Sequence, residues 1–110
     1  MDLTNLWEET IKELEENGFS WSDVQKIGTK EGFIPKMYFQ QFAKNYNYFS
    51  GYGVEYVPLD LVIEGTGFRM VRKEYDGSEW WHIILFESFI NSNKVIKGKD
   101  LKKLFRDPNK

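Results

Sequence analysis

Apolar residues recur at helical spacing in the opening stretch of the chain. Leu3, Leu6, Trp7, Ile11 and Leu14 form one stripe, which predicts a helix over residues 2–17. Asp2 or Thr4 supplies an N-terminal cap, and Asn17-Gly18 supplies a stop. Glu8, Glu9, Glu13, Glu15 and Glu16 crowd the rest of that helix, as a solvated acidic face or as a docking face for a basic partner. A short strand is expected over residues 21–27, with Val24 and Ile27 inward. Turn chemistry follows in Gly28-Thr29-Lys30-Glu31-Gly32, and Phe33-Ile34 pairs back. Pro35 suits the first turn of a second helix over 35–46, with Phe39, Phe42, Ala43 and Tyr46 buried and Lys36, Gln40, Gln41 and Lys44 outside.

Beyond Gly53 the period changes to two. Residues 56–64 alternate around Leu59, Leu61 and Ile63, with Pro58 marking an edge position or the strand start. Gly65-Thr66-Gly67 turns the chain, residues 68–75 return, Asp76-Gly77 is a strong hairpin signal, and residues 79–86 complete a meander. A two-residue turn at Asp76-Gly77 pairs Glu74 with Glu79, Arg72 with Trp81, Met70 with Ile83 and Phe68 with Leu85. That register gathers Phe68, Met70, Trp81, Ile83 and Leu85 on one face, at the cost of two glutamates face to face with Arg72 beside them. A three-residue turn mixes the faces. Five buried apolar side chains, each worth roughly 1.5–3 kcal/mol, outweigh one exposed charge pair worth at most about 1 kcal/mol.

Asn91-Ser92-Asn93 reads as a linker, Val95-Ile96 as a short strand, and residues 99–105 as a last helical turn or two anchored by Leu101, Leu104 and Phe105. The whole pattern predicts an α+β fold: two helices on one face of a four- or five-stranded antiparallel sheet ending in a β-meander, with a short C-terminal helix. Residues 1–90 form the single domain in this reading, and residues 91–110 a basic C-terminal extension.

Composition changes the picture mainly by exclusion. The chain has 110 residues, enough for one core and no second. It has no Cys, which removes disulfides, thiol nucleophiles and thiolate metal sites together. With a single His, His82, no two-histidine metal site can be built within one chain. Gly51-Tyr52-Gly53 and Gly65-Thr66-Gly67 lack the spacing and the following Lys-Ser/Thr of phosphate loops. No apolar run approaches the roughly 20 residues of a membrane span. The opening Met1-Asp2-Leu3-Thr4 lacks the charge and apolar pattern of a secretory leader, so the expected location is cytoplasmic. Net charge is −2, but it is unevenly spread: residues 1–64 hold 11 acids and 5 bases, residues 65–110 hold 6 acids and 10 bases.

Two groups of residues qualify as candidate binding sites. The stretch Asn45 to Gly53 sets Tyr46, Tyr48 and Tyr52 among Asn, Ser and Gly, either as a contact surface, since aromatic rings bring area at low entropic cost, or as a loop whose aromatics fold back onto the core. On the register above, Arg69, Lys73, Trp80 and His82 share the outer sheet face, where cations beside an aromatic suit stacking and phosphate attraction. The basic tail, from Lys94 to Lys110, adds charge that can track a nucleic-acid backbone. Asp60, Glu64, Glu74, Asp76 and Glu79 are the dense carboxylates of the sheet, yet turn positions and strand alternation explain them. No catalytic residue, metal or cofactor is expected.

Gly51-Tyr52-Gly53, Asp60-Leu61-Val62-Ile63 and above all Glu74-Tyr75-Asp76-Gly77-Ser78-Glu79-Trp80-Trp81 resemble a group of small uncharacterised proteins from phages and prophages of Gram-positive bacteria. The resemblance covers about the middle third of the chain. It implies a setting, an accessory protein in the cytoplasm of an infected or lysogenic host cell, and transfers no catalytic residue. The expected function is then stoichiometric binding of a host or defence protein, as an inhibitor of the anti-CRISPR or anti-restriction type. The alternative is a nucleic-acid-binding accessory protein using the basic, aromatic sheet face and the tail. Monomer and homodimer are both compatible with the sequence.

Overall fold

A computed structural model describes residues 3–51, 54–86, 95–105 and 108. The elements run β1 (Thr4–Asn5), α1 (Leu6–Glu16), a 3₁₀ turn (Trp21–Asp23), β2 (Val24–Thr29), β3 (Gly32–Phe33), α2 (Lys36–Lys44), β4 (Asn47–Tyr48), β5 (Val62–Gly65), β6 (Phe68–Tyr75), β7 (Ser78–Leu85) and α3 (Gly98–Leu104). The main sheet has five antiparallel strands in the order β3-β2-β5-β6-β7, and β1 and β4 make a separate two-stranded ladder. This is the α+β class, with a β5-β6-β7 meander and a short C-terminal helix.

Helices α1 and α2 cover one face of the sheet. Leu6, Leu14, Phe39 and Ala43 from the helices meet Ile27, Ile63, Phe68, Met70 and Trp81 from the strands in one core. The β6–β7 register is that of the two-residue turn: Phe68 opposite Leu85, Met70 opposite Ile83, Arg72 opposite Trp81 and Glu74 opposite Glu79. Asp76 and Gly77 both take positive φ, 52° and 85°, as the right-handed twist of a tight hairpin requires. A slip of one residue would turn β7 over against β6, setting Trp80, His82 and Ile84 in place of Trp81 and Ile83 beside Phe68 and Met70, and the lost burial dominates any gain from parting two glutamates.

Several local expectations are corrected. Helix α1 begins at Leu6 rather than Asp2, capped by Asn5, whose side chain accepts from the backbone N–H of Glu8 at 3.0 Å. Thr4 and Asn5 are extended because they pair with Tyr48 and Asn47, and the N–H of Leu6 donates to Tyr46 O at 2.9 Å. Val24 and Ile27 both face inward, three residues apart, because the β2–β5 register shifts between Val24 and Lys26. Trp21 and Ser22 belong to the 3₁₀ turn and not to the strand.

In α2, Phe39 and Ala43 are buried but Phe42 is 61% exposed. Lys36 is only partly outside: its Nζ donates to Trp21 O and Val24 O, each at 2.8 Å, and sits over the Trp21 ring. Residues 56–61 are not strand. They form a turn, with Leu61 N–H donating to Pro58 O, and Leu59 faces solvent. Val95 and Ile96 lie outside any strand, and Leu101, Leu104 and Phe105 are exposed along α3 rather than anchored. The expected Asn91-Ser92-Asn93 linker lies outside the described residues.

Candidate functional site

Strand pairing assembles the second sheet face in rows. One row runs Phe33, Gly28, Val62, Val71, His82, and the next runs Lys26, Glu64, Arg69, Ile84. Lys73 stands directly opposite Trp80, and Tyr75 opposite Ser78. Neither α1 nor α2 covers this face. Among its residues Lys26, Phe33, Arg69, Lys73, Tyr75, Trp80, His82 and Ile84 are all exposed. The structure therefore brings together four of the residues singled out from the sequence: Arg69, Lys73, Trp80 and His82.

A groove of about 630 Å³ crosses this face over Gly28, Val62 and Val71, with Lys26, Arg69 and Phe33 on its walls. Its floor is low for a reason written in the sequence. Gly28 is packed so closely that a Cβ there would stand 2.8 Å from Gly32 O and 3.1 Å from Phe33 Cα, so the β2–β3 hairpin admits only glycine. Arg69 pairs with Glu64 at 3.4 Å and lies 5.7 Å from the Phe86 ring centre. Asp60 accepts from the backbone N–H of Lys30 at 3.0 Å and so holds the β2–β3 turn.

The tyrosine-rich stretch behaves differently. Tyr48 is 2% exposed and belongs to the core, because β4 pairs it with Thr4 against the start of α1. Its hydroxyl donates to Glu9 Oε2 at 2.6 Å and accepts from Arg72 Nη2 at 2.9 Å. Burial, reinforced by the bond to Glu9, holds this phenol well above its ordinary range. Tyr46 is half-buried, stacks on Phe42 at 5.1 Å and donates to Tyr56 O at 2.9 Å. Burial, with the Glu79 carboxylate next, raises its pKa as well. Tyr52 lies outside the described residues. Tyr48 is thus removed from any contact surface, and Tyr46 contributes to the wall of a small apolar pocket of about 220 Å³ with Phe39, Phe42, Tyr56 and Leu61.

Under the sheet lies a polar cluster that sequence reasoning missed. Arg72, with its side chain wholly buried, reaches Glu9 at 2.5 Å and Glu79 at 3.1 Å. Its guanidinium lies 4.9 Å from the Trp81 ring centre and 5.8 Å from that of Tyr48. Glu79 also accepts from the backbone N–H groups of Tyr56 (2.9 Å) and Val57 (3.1 Å). Burial alone would lower the Arg72 pKa, but the hydrogen bonds and charges of Glu9 and Tyr48 together outweigh it and the net shift is upward. Thr10, fully buried in the middle of α1, accepts from Trp81 Nε1 at 2.9 Å while donating to Leu6 O at 2.7 Å. The signal was present in the strand parity, since Arg72 and Glu79 both fall on the inward face of the hairpin.

Apart from Arg72 Nε, which has no hydrogen-bond partner among the described residues, these buried groups pair with one another and fix α1 and the residue 56–57 segment to the hairpin. Among the described residues no cluster of three or more His, Asp or Glu could hold a metal ion, and no helix is long and apolar enough to cross a membrane. No protein-family model, curated protein or solved structure matches the chain.

Proposed function

We propose that this chain is a small binding protein that acts by stoichiometric occupation of a protein partner, in the setting of an accessory protein that inhibits a host defence enzyme. The observation that carries the reading is the uncovered sheet face. A sheet with one face packed and the other solvated normally shows polar outward positions. Here the outward positions include Phe33, Tyr75, Trp80 and Ile84 among Lys26, Arg69 and Lys73. Aromatic residues with arginine are the side chains that dominate binding energy at protein interfaces. The exposed Glu8, Glu15 and Glu16 of α1, beside half-buried Trp7 and Ile11, give the molecule a second, acidic face suited to a basic, nucleic-acid-handling target.

The test is recovery of a partner by tagged protein from lysate of infected cells, with and without nuclease treatment. One protein retained after nuclease treatment, whose activity falls to a plateau at equimolar addition of this chain, is the expected result. Failure of every candidate defence nuclease to respond would remove the inhibitor role.

A second reading has its own observation. Lys73 lies directly across the ladder from Trp80, with Arg69 on the same face, which is the pairing of cation and stacking surface that single-stranded nucleic acids use. A salt-dependent shift of labelled single-stranded DNA, lost in Trp80→Ala, would favour it.

A further inference from the structure

Strand β7 is an edge of the main sheet, and among the described residues its outer side has no strand beside it. The β6–β7 bonding pattern says which backbone groups face that way. Phe86 N–H donates to Gly67 O, so the even-numbered residues of β7 bond inward to β6 and the odd-numbered ones point outward. The first outward donor, Glu79 N–H, is taken by Ser50 O at 2.6 Å. Trp81, Ile83 and Leu85 remain, with no backbone partner among the described residues.

Natural sheets blunt such an edge with Lys, Pro, a bulge or a very short strand. The opposite edge obeys the rule, since β3 is two residues long. Strand β7 does not. It is eight residues long, contains no Lys, Arg or Pro, and pairs with β6 without a bulge. Its open end is followed by Phe86, so Trp80 (41% exposed), Ile84 and Phe86 (50% exposed) lie on the open face, while Leu85 (58% exposed) projects from the other face of the same edge.

We propose that the chain forms a symmetric dimer in which β7 pairs antiparallel with β7 of a second copy, centred on Ile83. Outward groups must meet outward groups, so Ile83 faces its own counterpart and Trp81 faces Leu85 of the other copy. On the open face the same register sets Trp80 against Phe86 of the other copy, and His82 against Ile84. The exposed apolar residues of the edge thereby cover one another. The open half of the strand, Trp81 to Phe86, carries no Asp, Glu, Lys or Arg. Two copies therefore meet without like-charge opposition, whereas a charged partner would find no counter-charge there. The two open faces then join into one continuous ten-stranded surface.

Sedimentation of the full chain over a concentration series tests this. A mass twice the 13.1 kDa of one chain is expected, falling to one chain in Ile84→Lys and in Ile83→Pro, with unchanged circular dichroism. Ile84 is on the open face and the N–H of Ile83 points out of the sheet, so neither substitution removes a β6–β7 bond. The chain has no Cys, so disulfide trapping is clean. Mixed His82→Cys and Ile84→Cys chains should cross-link under mild oxidation, and either alone much less. A wild-type mass of one chain at every concentration overturns the proposal. So does a dimer that survives Ile84→Lys, or one that cross-links without the mixed pair.

Discussion

Arg72 Nη2 lies 3.1 Å from Glu79 Oε1 across the β6–β7 hairpin, both side chains almost wholly out of contact with solvent. The two residues are diagonal rather than opposite, since Arg72 faces Trp81 and Glu79 faces Glu74. Glu79 turns beneath the sheet to Arg72 and to the N–H groups of Tyr56 and Val57, while Glu74 remains exposed. The apparent like-charge pair is thereby separated into one buried and one solvated carboxylate.

Removing Arg72 leaves Glu79 buried with no counter-charge. Arg72→Met should cost about 3–5 kcal/mol in denaturant unfolding, the usual loss on breaking a buried pair. Adding Glu79→Gln should restore part of it. A loss within about 0.5 kcal/mol, the range of ordinary surface substitutions, would show that the cluster does not hold the hairpin to α1.

Thr10 is the partner of the Trp81 indole, and Val has nearly its shape without the hydroxyl. Thr10→Val should destabilise by about 1–3 kcal/mol through the unsatisfied indole N–H, and Thr10→Ser by less. Equal effects of the two substitutions would assign the role to packing instead.

The phenol of Tyr48 is held above its ordinary value of 10.0 by burial and by Glu9. Its contribution is therefore complete below pH 10.0 and lost at higher pH, where the unfolded chain releases a proton that the folded chain keeps. Tyr46 shifts in the same direction and adds to the trend. The free-energy cost of Tyr48→Phe should accordingly shrink above pH 10.0. A cost that stays constant into alkali would contradict the burial of this hydroxyl.

The hairpin turn offers a backbone test. Gly77 has φ 85°, where a side chain is strained, so Gly77→Ala should cost about 1–2 kcal/mol. Asp76→Asn, at φ 52°, should be nearly neutral because Asn accepts that conformation. A neutral Gly77→Ala would mean that the turn, and with it the register, is not fixed as described.

The register of β6 and β7 was legible because a two-residue turn sets side-chain parity for every position that follows, and only one parity segregates Phe68, Met70 and Trp81 from Lys73 and His82. That same parity placed Arg69, Lys73, Trp80 and His82 on one face. What it could not show was the destination of inward charges. Glu9 comes from a helix that composition presents as uniformly acidic, and only its meeting with Arg72, 63 residues away, sets it apart from Glu8. The sequence leaves the place of Tyr48, surface or core, open for a related reason. A two-residue strand has no periodicity, and its partner, Thr4, looked like the first turn of a helix. Phe42 failed differently: the strip formed by Phe39, Ala43 and Tyr46 is narrower than an apolar residue count suggests, and Phe42 lies on its flank.

The central claim is that the open sheet face is the binding surface. The most direct measurement is the affinity of a captured partner for three forms: wild type, Trp80→Ala/Lys73→Glu on the sheet, and Glu15→Lys/Glu16→Lys on α1. Loss of binding in the sheet variant, with folding unchanged and with wild-type or only modestly weakened binding in the α1 variant, is the expected result. Full binding by the sheet variant, with loss in the α1 variant, would contradict the claim and move the site to the acidic helix.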